Sequence, residues 1–330
     1  LKKAGILGLV LIIILVGVIL WYSVYFLPSN QRAEQLVIAG PFPFRLSYWD
    51  HLYAEHTGIF DEYNLNVSHI EVRSVSEMTQ ATLAGEIDLM YAVGDSIKPA
   101  LAGAPFKIVL AIAKAPFCMI ARPEINSVED IKVHADAGGR GSDGETLARK
   151  YFSKNGMEEN EDYTMIYISM DAIVPGFENQ DFDSTSAGGI SFTLRKMGGK
   201  QVVKFAEEFP QFYTGGFAGT ESNIEQKREA IKNYMKAIYR SQSFLIEHKE
   251  EAIEFATDIL GLELDYATFV YDFGYTNKYG APFKVIPSMP IADIEYTMKL
   301  CAESNDLDEM PIEDLIDTTL WDQVKQELGI

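Results

Sequence analysis

Short apolar runs alternate with amphipathic stretches along most of this chain. Leu36-Val-Ile-Ala39, closed by Gly40-Pro41-Phe42-Pro43, predicts a first strand. Helical periodicity follows from Ser47 to Thr57, with Gly58 placed to cap it. A surface strand is expected around Leu65–Val67. Buried strands are expected over Asp88–Val93, Lys107–Ala113 and Cys118–Ala121. The first of these, Asp88–Val93, ends in a polar tip, Gly94-Asp95-Ser96. After Arg122-Pro123 a new unit begins, with strands at Lys132–Ala135, Thr164–Ser169 and Asp183–Ser186 and a helix from Glu145 to Asn155. Phe212–Ala218 reads as a return to the first unit. In the long helix that follows, Ile231, Tyr234, Met235, Ile238 and Leu245 form one apolar face.

Alternating strands and helices predict an α/β fold. The expected organisation is a discontinuous first lobe, 31–122 with 219–330, and a second lobe, 123–218, inserted between two crossing strands. Ligand clefts in such folds lie between lobes, at the carboxyl ends of strands.

The N-terminus follows a different pattern. Lys2-Lys3 precede an apolar run from Ala4 to Leu27, with Trp21, Tyr22, Tyr25 and Phe26 at its outer end. A helix of this length spans roughly 34 Å, enough for a hydrocarbon core of roughly 30 Å. The run is longer than the apolar region of a cleaved signal, and its aromatic end fits an interfacial belt. Residues 1–30 are therefore expected to form a transmembrane signal anchor with its linker, the alternative being a cleaved signal peptide. Either places the remaining chain outside the cytoplasmic membrane, anchored to its outer face or released.

Composition then narrows the function. A formal charge of −20 excludes nucleic acid as an expected partner, because phosphate binding requires displacement of counterions by Lys and Arg. Cys118 and Cys301 are far apart and read as two buried hydrophobes. The five histidines form no recognisable ligand pattern, so no metal and no cofactor is expected. Gly139-Arg-Gly141-Ser-Asp-Gly144 matches the dinucleotide pattern G-x-G-x-x-G, yet the acid expected about 20 residues on is displaced. Ser142-x-x-Glu145 reads more simply as a capping box opening a helix, and its amides form a natural anion seat. Glu145-Thr146 stands where a Walker loop requires Lys-Ser/Thr, and no nucleophile elbow or zinc-protease motif occurs.

Several stretches, in order, resemble the sulfonate/nitrate/taurine-type substrate-binding proteins of ABC importers, a family that includes binders of thiamine pyrimidine precursors. They are Tyr53-Ala-Glu-x-x-Gly58-Ile-Phe60 with Leu65-x-Val67, Ala84-Gly85-Glu-Ile-Asp88 and Ala100-x-x-Gly103-Ala-Pro105. Ile125-x-Ser127-x-Glu-Asp130-Ile131 follows, then Gly141-Ser142 opening the helix that ends at Asn155-Gly156. The resemblance implies a type II periplasmic-binding-protein fold with two lobes and two crossovers. It also implies four cleft-facing loops, carrying Phe44, Arg45 and Tyr48; Gly94, Asp95 and Ser96; Gly141, Ser142 and Asp143; and Asp183 and Ser186. The chain departs from the family at Ser184-Thr-Ser-Ala-Gly-Gly189, small and polar where acid and aromatic residues are common. Asp143 and Glu145 are also poor neighbours for an anion.

The expected function is a non-enzymatic solute receptor. It captures a small organic ligand, sulfonate/taurine-like or nitrogen-containing, and delivers it to ABC permease subunits. Two alternatives stand beside it: an enzyme of the same fold acting on a bound pyrimidine or nucleotide, and a membrane-tethered sensor.

Overall fold

The computed structural model describes residues 33–41, 48–279 and 281–330. The expected anchor, and the loop residues Phe44 and Arg45, lie outside the described residues. Among the described residues no helix is long and apolar enough to cross a membrane. From residue 35 onward the chain forms one compact unit.

That unit is built on two mixed sheets. The first has strand order β11-β4-β10-β3-β1-β2, using β1 (Glu34–Pro41), β2 (Leu65–Val72), β3 (Leu89–Met90), β4 (Phe106–Lys114), β10 (Tyr213–Thr220) and β11 (Lys284–Ser288). The second has order β7-β6-β8-β5-β9, using β5 (Cys118–Ala121), β6 (Val133–Asp136), β7 (Thr164–Tyr167), β8 (Ser184–Ala187) and β9 (Lys200–Lys204). β1 runs parallel to β3, with Ile38 opposite Leu89. β10 runs antiparallel to β4 from Tyr213 opposite Lys114 to Thr220 opposite Phe106. In the second sheet β6 is parallel to β7 and β8, whereas β5 is antiparallel to β8 and β9.

The chain changes sheet twice, and both changes come earlier than the expected boundaries at 122/123 and 218/219. β5 already belongs to the second sheet, and all of β10 belongs to the first. Pro116 contributes no ladder donor between β4 and β5, so the first ladder ends there. The two crossing segments also bond to each other: Ala115 N–H donates to the Phe212 carbonyl at 3.1 Å, and Phe205 N–H to the Phe117 carbonyl at 3.0 Å.

Helices cover the sheets where apolar faces require it. In α1 (Trp49–His56), Trp49 and Ala54 are buried. α2 (Val75–Leu83) is capped by Ser74, whose side chain accepts from Glu77 N–H at 3.2 Å. The tip expected at Gly94-Asp95-Ser96 is the first turn of α3 (Gly94–Leu101), because β3 itself ends at Met90. α4 (Asp143–Lys154) opens as the capping pattern predicts: Ser142 Oγ accepts from Glu145 N–H at 3.0 Å. The Glu145 carboxylate reaches back to Gly141 N–H rather than to that of the cap residue. The long helix α5 (Arg228–Glu247) buries Ile231, Tyr234, Met235, Ile238 and Leu245 as its periodicity requires. Its Gln242 amide donates to the carbonyls of Ile112 (2.8 Å) and Val285 (2.7 Å), filling the irregularity between β4 and β11. α6 (Ile291–Asn305) packs against both α3 and α4. Cys118 and Cys301 are free, buried thiols.

Gly216 marks the tightest point of the first sheet. It has φ of +152°, and a Cβ there would lie 2.1 Å from the Leu110 carbonyl oxygen. Backbone cannot yield as a flexible side chain can. Gly216→Ala is expected to destabilise the chain by roughly 1–3 kcal/mol, read as a lower urea midpoint with unchanged slope.

Candidate functional site

Both sheets contribute to one cavity of about 370 Å³. From the first sheet and its helices come Tyr48, just before α1, Tyr91, beyond β3, Asp95 in α3, and Phe283 with Lys284 at β11. From the second come Asp136 at the end of β6, Ser142 and Asp143 at the start of α4, and Ser186 near the end of β8. Arg73, before α2, and Asp171, after β7, stand at the exposed margin.

Three carboxyl groups dominate the wall shared by the two sheets. Asp143 N–H donates to Asp95 Oδ1 at 2.8 Å, joining the first turns of α3 and α4. Ser142 Oγ donates to Asp136 Oδ1 at 2.7 Å while it caps α4. Gly94 allows this approach, since a Cβ there would lie 2.0 Å from Asp143 Oδ1.

Burial among like charges makes ionisation unfavourable. Desolvation raises the Asp136 carboxyl to about 7; the Ser142 hydroxyl opposes this, and the charges of Glu145 and Asp95 add to it. Desolvation raises Asp95 to about 6, against the hydrogen bonds from Asp143. Asp143 is pushed well above the ordinary carboxylate range, by burial first and then by the Asp95 charge. Glu145 behaves differently. Its carboxylate accepts from Tyr167 Oη at 2.6 Å and from Arg149 Nε at 3.0 Å, and its pKa falls despite burial.

On the opposite side, Lys284 Nζ lies 3.5 Å from Asp50 Oδ1 and 3.2 Å from the Tyr91 hydroxyl. Tyr91 donates to Asp50 Oδ2 at 2.9 Å. Burial lowers the lysine pKa and Asp50 resists that shift, so the pair presents little net charge to the cavity. Tyr48 meets the Tyr91 ring edge-on at 4.1 Å between centroids. With Phe117, Phe273 and Phe283 these rings bound the cavity and suit a flat ligand.

The structure brings together Tyr48, Asp95, Ser142, Asp143 and Ser186 of the residues selected from sequence. Gly94, Ser96 and Gly141 do not line the cavity. Ser96 is buried and its hydroxyl donates to the Val93 carbonyl at 2.6 Å, a local helix-start contact. Gly141 serves the Glu145 cap. Asp183, expected beside the ligand, stands at the far end of β8 because it precedes the strand, whereas Ser186 near its carboxyl end faces the cavity. The Asp183 carboxylate accepts from Arg122 Nη2 (2.9 Å), Lys132 N–H (2.8 Å) and Val133 N–H (2.9 Å), tying β8 to the start of β6. Asp136, Tyr91 and Lys284 were not selected. Asp136 carried a signal, a carboxylate ending a strand directly before the glycine loop; Lys284 carried none, because its strand is short and polar at both ends.

Two sheets joined by paired crossings, with a cavity at the ends of their strands, define the fold of periplasmic binding proteins. The chain belongs to the NMT1/THI5-like family, which it matches over residues 46–252. Its fold is shared by the nitrate-binding protein NrtA from Synechocystis PCC 6803, at 12% identity over 90% of this chain and 89% of that one, TM-score 0.74. The alkanesulfonate-binding protein SsuA from Xanthomonas axonopodis pv. citri, bound to MOPS, aligns at 13% identity over 87% and 99%, TM-score 0.72. A Candida albicans protein with the generic periplasmic-binding-protein fold aligns at 14% identity over 86% and 96%, TM-score 0.66. No curated protein matches the chain by sequence.

The carboxyl wall predicts a pH dependence of known sign. Asp95 and Asp136 titrate at about 6 and 7, above the ordinary 3.8. Between pH about 4 and 7 these carboxyls hold more protons in the folded chain than in the unfolded one, so their contribution to stability falls as pH rises. The buried His51 and His134, lowered to about 3, act in the opposite sense up to about pH 6.5. Thermal midpoints of the ligand-free protein should decline from about pH 6 to 8, where the histidines no longer oppose the acids, and Asp136→Asn should flatten the decline. An equally steep profile in that variant would contradict the assignment.

Proposed function

We propose that the chain is an extracytoplasmic solute receptor that captures a small, flat, nitrogen-containing ligand in this cavity and presents it to an ABC permease. The observation that carries the reading is the set of three buried carboxyl groups, Asp95, Asp136 and Asp143, on one wall. Ligand N–H groups or a positive charge find acceptors there. A sulfonate or nitrate would face the same acids with Lys284 already engaged by Asp50.

The cycle needs no covalent chemistry. One lobe carries the first sheet and the other the second, and the paired crossings act as the hinge. A ligand that touches both walls favours the closed arrangement in proportion to its differential affinity. The closed outer face is then what the permease recognises. On this reading the receptor is held at the outer face of the cytoplasmic membrane by its N-terminal segment, or released from it by signal cleavage.

The test is a ligand panel. Aminopyrimidines and aromatic amines should raise the thermal midpoint of the purified chain. Saturation at a hundredfold excess over Kd corresponds to about 2.7 kcal/mol. Taurine-like sulfonates and nitrate should give no shift. Asp143→Asn should weaken the best ligand at least about tenfold, or about 1.4 kcal/mol. Stabilisation by sulfonates alone, undiminished in Asp143→Asn, would overturn the ligand class.

A further inference from the structure

A second cluster of polar side chains lies outside the cavity, between α1 and the edge strand β2. His51 and Glu55 are one turn apart in α1 and so share a face. His69 faces them from β2. One ligand atom from each of the three lies within 4.8 Å of the others. None of the three lines the cavity. The sequence pattern gave no hint of this grouping, because the third member comes from a strand 14 positions beyond Glu55 and meets the helix only through the fold.

We infer that His51, Glu55 and His69 form a binding site for one divalent transition-metal cation, of which zinc is the best match. Two imidazoles and one carboxylate are the donor set of an open zinc site, with water as the fourth ligand. Imidazole donors favour zinc, copper or nickel over magnesium and calcium, which take oxygen.

The parts differ in rigidity in the way such a site requires. His51 is fully buried, and its Nδ1 is held 2.8 Å from the Tyr234 hydroxyl in α5. That bond fixes the ring and directs Nε2 as the coordinating atom. Phe60 packs on the same ring edge-on, with centroids 5.1 Å apart. Glu55 and His69 are solvent-accessible, with side chains 50% and 30% exposed, and Glu55 Oε2 lies 3.9 Å from His69 Nδ1. Tetrahedral bonds of about 2.0–2.1 Å place donor atoms about 3.3 Å apart. Closing from the observed spacing takes a shift of up to about 1.5 Å, by side-chain rotation in the two accessible residues, with His51 as the fixed post.

The cation would clamp α1 to the sheet edge. α1 begins beside Tyr48, which lines the cavity, and carries Asp50, which holds Lys284 there. The site is thus separate from the cavity yet shares its helix.

The test uses the full, tag-free chain after chelator treatment. Calorimetric titration with zinc should show one strong site and a raised thermal midpoint, with no response to magnesium or calcium. Cobalt should give the intense visible bands of four-coordinate geometry. His69→Ala and Glu55→Gln, at accessible positions, should each weaken zinc binding at least about tenfold and leave the metal-free midpoint unchanged. Absence of a one-to-one zinc site would overturn the inference. So would zinc affinity undiminished in both variants, or a weak, six-coordinate cobalt spectrum.

Discussion

The two crossing segments are bonded to each other, and the remaining architecture depends on that pairing. Ala115 to Phe212 and Phe205 to Phe117 form a short ladder between outgoing and returning chain. Each sheet is completed only by strands on both sides of the crossing, since β10 lies between β4 and β3 while β5 lies between β8 and β9. The two sheets are thereby joined where the chain crosses between them. The cavity forms beside this joint, lined by Pro116 and Phe117 of the outgoing segment as well as by Asp95 and Asp143, through which α3 and α4 meet. Buried side-chain contacts reinforce the joint: Lys204 Nζ reaches the Phe273 carbonyl at 3.5 Å, and Thr214 Oγ1 donates to the Lys114 carbonyl at 3.0 Å.

The cavity is asymmetric in its electrostatics. One wall contains an acid and a base that offset each other, Asp50 and Lys284. The other contains acids without a buried cation among them, because Arg149 is committed to Glu145 and Arg122 to Asp183. Isolated buried carboxylates are costly, and the usual response is protonation. The second wall is accordingly a set of carboxyl groups that accept and donate hydrogen bonds, rather than a simple array of negative charge.

Much of this was legible in the residues, and the exceptions have physical causes. Apolar periodicity located α5, β4, β5 and the return strand β10, because burial on one or both faces leaves a regular pattern. Ser142 and Glu145 announced the start of α4 through capping chemistry, which is local. The apolar stretch Asp88–Val93 overstated β3. Only Leu89 and Met90 lie in the ladder, since burial there is shared between strand and loop. Asp183 was misplaced because sequence alone does not say which end of a strand faces a cleft. Lys284, Tyr91 and the pairing of His69 with α1 depend on contacts between segments far apart in the chain.

Asp143, and in part Asp136, hold protons near neutrality that an ordinary aspartate would have lost. A cationic guest that displaces such a proton replaces one unit of positive charge with another. On the proposed function capture is then electroneutral, and the field around this acidic chain changes little between the loaded and the empty receptor. Under that function, long-range attraction to a permease would therefore not report occupancy. On that reading, recognition of the loaded form would rest on the shape of the closed sheets.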